Sequence, residues 1–107
     1  MNLLFICNQG MHRSRTAAHV YKEWHDTRFA SLFNDENLVD EHALQWADII
    51  CVMEEEQAKE LERRHAVHVF NKRIVNLDIP DRFSAYEPQL VALLKKRFSE
   101  RVWPLMK

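Results

Sequence analysis

Four consecutive apolar residues, Leu3-Leu4-Phe5-Ile6, run directly into a cysteine, and the next helical pattern begins only near Thr16. So short and continuous an apolar run predicts a strand buried on both faces, and therefore a sheet with cover on each side. Between strand and helix lies Cys7-Asn8-Gln9-Gly10-Met11-His12-Arg13-Ser14. A strand that stops at a thiol and hands over to a helix N-terminus gathers backbone N–H groups around the sulfur. Gly10 is the only glycine in the chain. Without a Cβ it can take positive φ and let the backbone approach a ligand closely. Arg13 adds a planar fork of donors that matches two oxygens of a phosphate at once. These residues describe an oxyanion cradle with Cys7 as the nucleophile at its floor.

The remainder of the chain predicts the frame for that loop. Ala17, Val20, Tyr21 and Trp24 recur at helical spacing and predict a helix of about three turns from Thr16. Arg28 to Phe33 is a weak second strand, and Asn34-Asp35-Glu36-Asn37 is a turn by composition. Asp40 suits the N-cap of a short helix ending at Trp46. Ile49-Ile50-Cys51-Val52-Met53 has the apolar, β-branched pattern of a central strand. Glu54 to Arg64 is acidic at its start and basic at its end, which complements a helix dipole. Arg73 to Leu77 predicts another strand, followed by the loop Asp78-Ile79-Pro80-Asp81-Arg82-Phe83, which proline keeps from becoming helical. A last helix runs from Pro88 to about Trp103, with Leu90, Leu93, Leu94 and Phe98 as its buried stripe, and Pro104 ends it. Strands alternating with helices predict an α/β three-layer sandwich: a small parallel sheet of about four strands with helices on both faces. Ligands of such sheets bind beyond the carboxyl ends of the strands, where the Cys7 and Asp81 loops both fall.

At 107 residues the chain is expected to form one domain, 1–107. A net charge of -1, with both signs interspersed, gives no electrostatic footprint for nucleic acid or an anionic membrane. No apolar run approaches the roughly 20 residues needed to span a bilayer. The N-terminal stretch lacks the basic region of a secretory signal. The two cysteines, Cys7 and Cys51, sit in strand-like runs, which suits reduced thiols in a cytoplasmic protein. Cys51 is expected to pack, as are Trp24, Trp46 and Trp103, one of which could also wall a substrate site. His65-x-x-His68 lacks a third ligand at suitable spacing, so no metal site and no cofactor are expected.

A cysteine, five residues, then Arg-Ser, set between a first strand and a helix, resembles the signature loop of the low-molecular-weight protein tyrosine phosphatases. The stretch Trp46-Ala47-Asp48-Ile49-Ile50-Cys51-Val52-Met53-Glu54 resembles the strand of that family that ends in Met and an acidic residue. The Asp78–Phe83 loop resembles its acid loop. Similarity runs in order over most of the chain and is greatest to a short bacterial subgroup of predicted phosphatases. It implies that Cys7 attacks phosphorus, that Arg13 and the loop residues Asn8, Gln9, Gly10, Met11, His12 and Ser14 bind the phosphoryl oxygens, and that the Ser14 hydroxyl donates to the thiolate. Asp81 is then the candidate general acid, with Asp78 the alternative. The implied partners are phosphorylated substrates, either phosphotyrosine proteins or small aryl phosphates, and phosphate-like oxyanions.

Several positions depart from the family pattern. Gly10 stands where Asn is usual, Gln9 where Gly is usual, and Arg15 where Pro follows the Arg-Ser pair. His12 occupies the place of a redox-protecting cysteine, and the segment from Ser31 to Trp46 is shorter than in full-length members, which trims the substrate rim. Two other functions fit part of the pattern. Ile6-Cys7-Asn8-Gln9-Gly10-Met11 also resembles the start of enzyme IIB domains of sugar phosphotransferase systems, which carry phosphate on a cysteine. The altered loop would also suit a non-catalytic phosphate-binding module. An arsenate reductase is disfavoured, because Cys51, the only other thiol, lies in a strand-like run. Arg13, the Asp81 loop and the Met53-Glu54 junction favour the phosphatase.

Overall fold

The computed structural model describes residues 1–9 and 12–106. Among them, strands β1 (Asn2–Cys7), β2 (Asp26–Ser31), β3 (Ile49–Val52) and β4 (Arg73–Asn76) form one sheet in the order β2-β1-β3-β4, every pair parallel. The helices are α1 (Arg13–Tyr21), α2 (Glu41–Trp46), α3 (Glu55–Val69), α4 (Pro88–Arg101) and the single turn α5 (Trp103–Met106).

Strand side chains alternate between two cores, as the pleat requires. Leu3, Phe5, Cys7, Ile49, Cys51 and Met53 pack with Ala17 of α1 and Leu90, Leu94 and Phe98 of α4. Leu4, Ile6, Ile50 and Val52 pack with Leu44 of α2 and with Ala58, Leu61 and Val69 of α3. These are the three layers that the alternating pattern predicts. β1 lies between β2 and β3, with Cys7 opposite Ser31 and Ile6 opposite Val52. The chain leaves β1 toward one side of the sheet and later returns on the other, so a crevice opens at its carboxyl end. Cys7 stands at that point.

Local differences from the sequence reading have physical causes. α1 begins at Arg13 rather than Thr16, because Arg13 and Ser14 are buried polar residues that an apolar periodicity misses. It stops at Tyr21, which leaves Trp24 beyond the helix and 67% exposed. α3 runs past Arg64 to Val69, through a kink at His65 (φ -130°, ψ 35°). The residues after Asn34 form a short 3-10 turn, Asp35–Asn37, capped by the Asn34 side-chain oxygen. Asp40 caps α2 as expected, its Oδ1 accepting from the Ala43 N–H at 2.9 Å. Pro104 does not end the last helix. α4 has already stopped at Arg101, and Pro104 sits in α5, where its missing N–H costs nothing in a first turn. Among the described residues no helix is long and apolar enough to cross a membrane.

Leu61 is fully buried beneath the sheet, far along α3 from the Cys7 crevice. Leu61→Ala should therefore destabilise the fold by about 2–5 kcal/mol, the usual range for emptying a core leucine site. A denaturant melt checks this, and a loss below about 1 kcal/mol would mean that the second core is loosely packed.

Candidate active site

The thiol of Cys7, only 3% exposed, is delivered by the rigid end of β1. Its sulfur lies 3.0 Å from the Ser14 hydroxyl, in the first turn of α1. A hydroxyl at that distance is placed to donate to a thiolate. Asn8 and Gln9, which follow Cys7, are tied down from three sides. The Asn8 carbonyl accepts from the Leu32 and Phe33 N–H groups at 3.2 and 3.0 Å, and the Gln9 carbonyl accepts from the Asn34 side chain at 3.2 Å. The Asn8 side-chain oxygen accepts from Gln57 at 3.1 Å. His12 precedes α1, and its carbonyl accepts from both the N–H and the hydroxyl of Thr16, at 3.0 and 2.6 Å, while its side chain is exposed.

Arg13 is 2% exposed, and its guanidinium is held by one nitrogen. Nη1 donates to Glu54 Oε1 and to the Ile79 carbonyl, both at 2.8 Å. Those two bonds use both hydrogens of Nη1, so Nε and Nη2 retain donors for an oxygen ligand. Nη2 also lies 3.8 Å from Asp81 Oδ2. Asp81 is 61% exposed and lines a cleft of about 450 Å³ together with Cys7, Gln9, His12, Arg13 and Asn34. Asp78 points elsewhere. It is exposed outside the cleft lining, in the left-handed region (φ 55°), with its N–H donating to the Asn76 side chain.

The geometry thus gathers Cys7, Gln9, His12, Arg13 and Asp81 around one cleft, with Asn8 and Ser14 immediately behind it. Gly10 and Met11 lie outside the described residues. None of the three tryptophans lines this cleft. Cys51 is fully buried in β3, where burial pushes its thiol well above its ordinary range, in keeping with packing. Nε2 of His68 lies 3.2 Å from a Glu41 carboxylate oxygen, and among the described residues no group of three candidate ligands could hold a metal.

Two residues of the site take roles that the sequence reading does not assign: Glu54 reads there only as the acidic end of the β3 stretch, and Gln57 is not singled out. Glu54 precedes α3 and pairs with Arg13, and Gln57, 1% exposed, accepts from the Met53 and Glu54 N–H groups at 2.7 and 3.1 Å while donating to Asn8. Glu-x-x-Gln at the start of a helix is a capping pattern, and that signal could have found them. One capping turn thereby holds both the Arg13 fork and the Cys7 loop.

No family model and no curated protein matches the sequence. Solved structures do match the fold. The YwlE arginine phosphatase from Geobacillus stearothermophilus superposes with a TM-score of 0.72 at 15% identity, over 92% of this chain and 86% of that one. The tyrosine phosphatase Wzb from Escherichia coli K30, in complex with phosphate, gives 0.68 at 14% identity over 92% and 94%. The low-molecular-weight protein tyrosine phosphatase from T. tengcongensis gives 0.67 at 15% identity over 94% and 99%.

Removing the Glu54 carboxylate should loosen the guanidinium before any substrate arrives. Glu54→Ala is expected to cost about 1–3 kcal/mol of stability, the scale of a charge-assisted hydrogen bond, and to weaken binding of vanadate. Calorimetric melts with and without vanadate check both effects, and unchanged vanadate affinity would separate Glu54 from oxyanion binding. The chain has the fold of the low-molecular-weight protein tyrosine phosphatases.

Proposed function

We propose that the protein is a phosphomonoester hydrolase of the tyrosine-phosphatase type, acting through a cysteinyl-phosphate. The observation that carries this reading is the meeting of the Cys7 sulfur, the Ser14 hydroxyl, the free edge of the Arg13 guanidinium and the Asp81 carboxyl at one cleft. Cys7 attacks phosphorus as a thiolate, and the Ser14 hydroxyl donates to the sulfur. Arg13 Nε and Nη2 bind two phosphoryl oxygens, while loop N–H groups and the α1 N-terminus stabilise the rest of the charge. Asp81 protonates the departing oxygen. The cysteinyl-phosphate then reacts with water, whose proton Asp81 takes, and phosphate leaves with the thiolate restored. Each step balances without a metal or a cofactor.

The phosphate-carrier alternative needs the cysteine but neither a buried arginine nor an acid. The Arg13 side chain at 2% exposure, with Asp81 beside it, is the specific observation that favours hydrolysis. Phosphotyrosine proteins and small aryl phosphates are the substrates that this reading assigns, and the cytoplasm is the compartment that suits a reduced thiol nucleophile.

Hydrolysis of an aryl phosphate should be multiple-turnover, insensitive to chelators and abolished in Cys7→Ser. Activity that survives that substitution, or that chelators remove, contradicts the mechanism. Uptake of a single phosphate that is then held would instead identify a carrier.

Asp81→Asn should slow substrates with basic leaving groups far more than activated ones, by about 10- to 1000-fold in relative rate. Asp78→Asn should affect both alike. Rates plotted against leaving-group pKa decide between them, and a steeper slope only in Asp78→Asn would reverse the assignment. Arg13→Lys should lose both vanadate binding and turnover, because an ammonium cannot reproduce two parallel N–H···O bonds. Near-normal vanadate binding in that variant would remove Arg13 from the cradle.

A further inference from the structure

At the far end of α1 from the Cys7 loop lies a second cleft, of about 530 Å³. Its lining is mostly aromatic. Tyr21 at the end of α1 stacks on Phe98 of α4, with ring centroids 3.9 Å apart and planes 19° from parallel, and Trp24 meets Tyr21 edge-on at 6.5 Å. Trp24 and Trp103 remain 67% and 49% exposed although both line the cleft. Trp24 leaves most of its indole in water beside a concave aromatic floor. The polar lining is sparse: His25, the α4 residues Lys95 and Ser99, and Tyr21, whose hydroxyl makes no hydrogen bond among the described residues. Burial pushes the Tyr21 phenol up to about 12, so it stays protonated and able to donate.

We propose that this cleft is a binding site for a flat aromatic anion. Its volume falls within the roughly 300–1,000 Å³ of small-molecule pockets, which are characteristically apolar with a few placed polar groups. Aromatic side chains favour a planar ring system by stacked and edge-to-face contact. The Lys95 ammonium supplies the charge complementary to a carboxylate or sulfonate, and the Ser99 and Tyr21 hydroxyls supply donors. A second copy of this chain suits the site less well, because charges are depleted at the core of a stable interface, whereas an ammonium lines this cleft. The site is independent of the hydrolytic reading, since it shares no residue with the Cys7 cleft.

Titration of the full-length protein with naphthalene-1-sulfonate, followed by calorimetry and by tryptophan fluorescence, tests the proposal. Saturable one-site binding is expected, undisplaced by excess inorganic phosphate. Trp24→Ala and Trp103→Ala should each weaken it about tenfold, the scale of one lost aromatic contact. Both side chains are about half exposed or more, so the variants should melt like the wild type. Lys95→Gln should weaken the sulfonate about two- to fivefold, the scale of one exposed charge pair, and leave the neutral naphthalenemethanol unaffected. Absence of saturable binding, displacement by phosphate, or indifference to both tryptophan substitutions would overturn the proposal. So would a Trp24-dependent dimer in sedimentation, which would give the cleft to a second copy.

Discussion

The Arg13–Glu54 pair is the contact on which the site depends. A guanidinium at 2% exposure has lost almost all its water, and an uncompensated buried charge costs several kcal/mol. Glu54 and the Ile79 carbonyl restore that interaction through Nη1 alone, so the remaining donors stay available toward the thiol. The guanidinium is therefore oriented before any phosphate binds, and orientation settled in advance is where catalysis of phosphoryl transfer is won. The arrangement also joins segments remote in sequence, since Arg13 opens α1 while Glu54 and Ile79 belong to the connections after β3 and β4.

The sheet explains how those connections meet. All four strands are parallel, so every connection that follows a strand lies at the same end of the sheet. The strand order places β1 centrally, and the loops after β3 and β4 flank the loop after β1 on one side. Hydrogen bonds extend the sheet at this end: the Leu77 and Ile79 N–H groups donate to the Val52 and Met53 carbonyls at 2.8 and 2.9 Å. That pairing fixes the backbone just before Pro80-Asp81, which brings an exposed acid to within 3.8 Å of Arg13. On the other flank, Asn34 and the Leu32-Phe33 backbone brace the Asn8-Gln9 peptide.

Much of this was legible in the sequence, and the remainder was hidden for identifiable reasons. Apolar runs at Leu3–Ile6 and Ile49–Met53, alternating with amphipathic segments, carry the three-layer fold because buried parallel strands need continuous apolar sequence. Asp40 and Pro88 marked their helix starts through capping chemistry that is local in sequence. Cys7, Arg13 and Asp81 were visible as residue types at a spacing. Glu54 was visible as the acidic residue after the third strand, but its pairing with Arg13 and that of Gln57 with Asn8 were not, because those partners lie more than 40 residues away and only the folded chain brings them together. The start of α1 was misplaced for a related reason: its first turn is buried by polar residues that serve the site. Trp24 was expected to pack and instead is 67% exposed, since an aromatic residue at helical spacing does not reveal that the helix ended three residues earlier.

The central claim is that phosphate passes through the sulfur of Cys7. Rapid acid quench of the protein during turnover of an aryl phosphate, followed by peptide mass spectrometry, tests it directly. The account predicts one phosphate on the peptide that contains Cys7, formed and lost at rates consistent with turnover and longer-lived in Asp81→Asn. Turnover with no phosphate on that peptide, or phosphate on another residue, would contradict it.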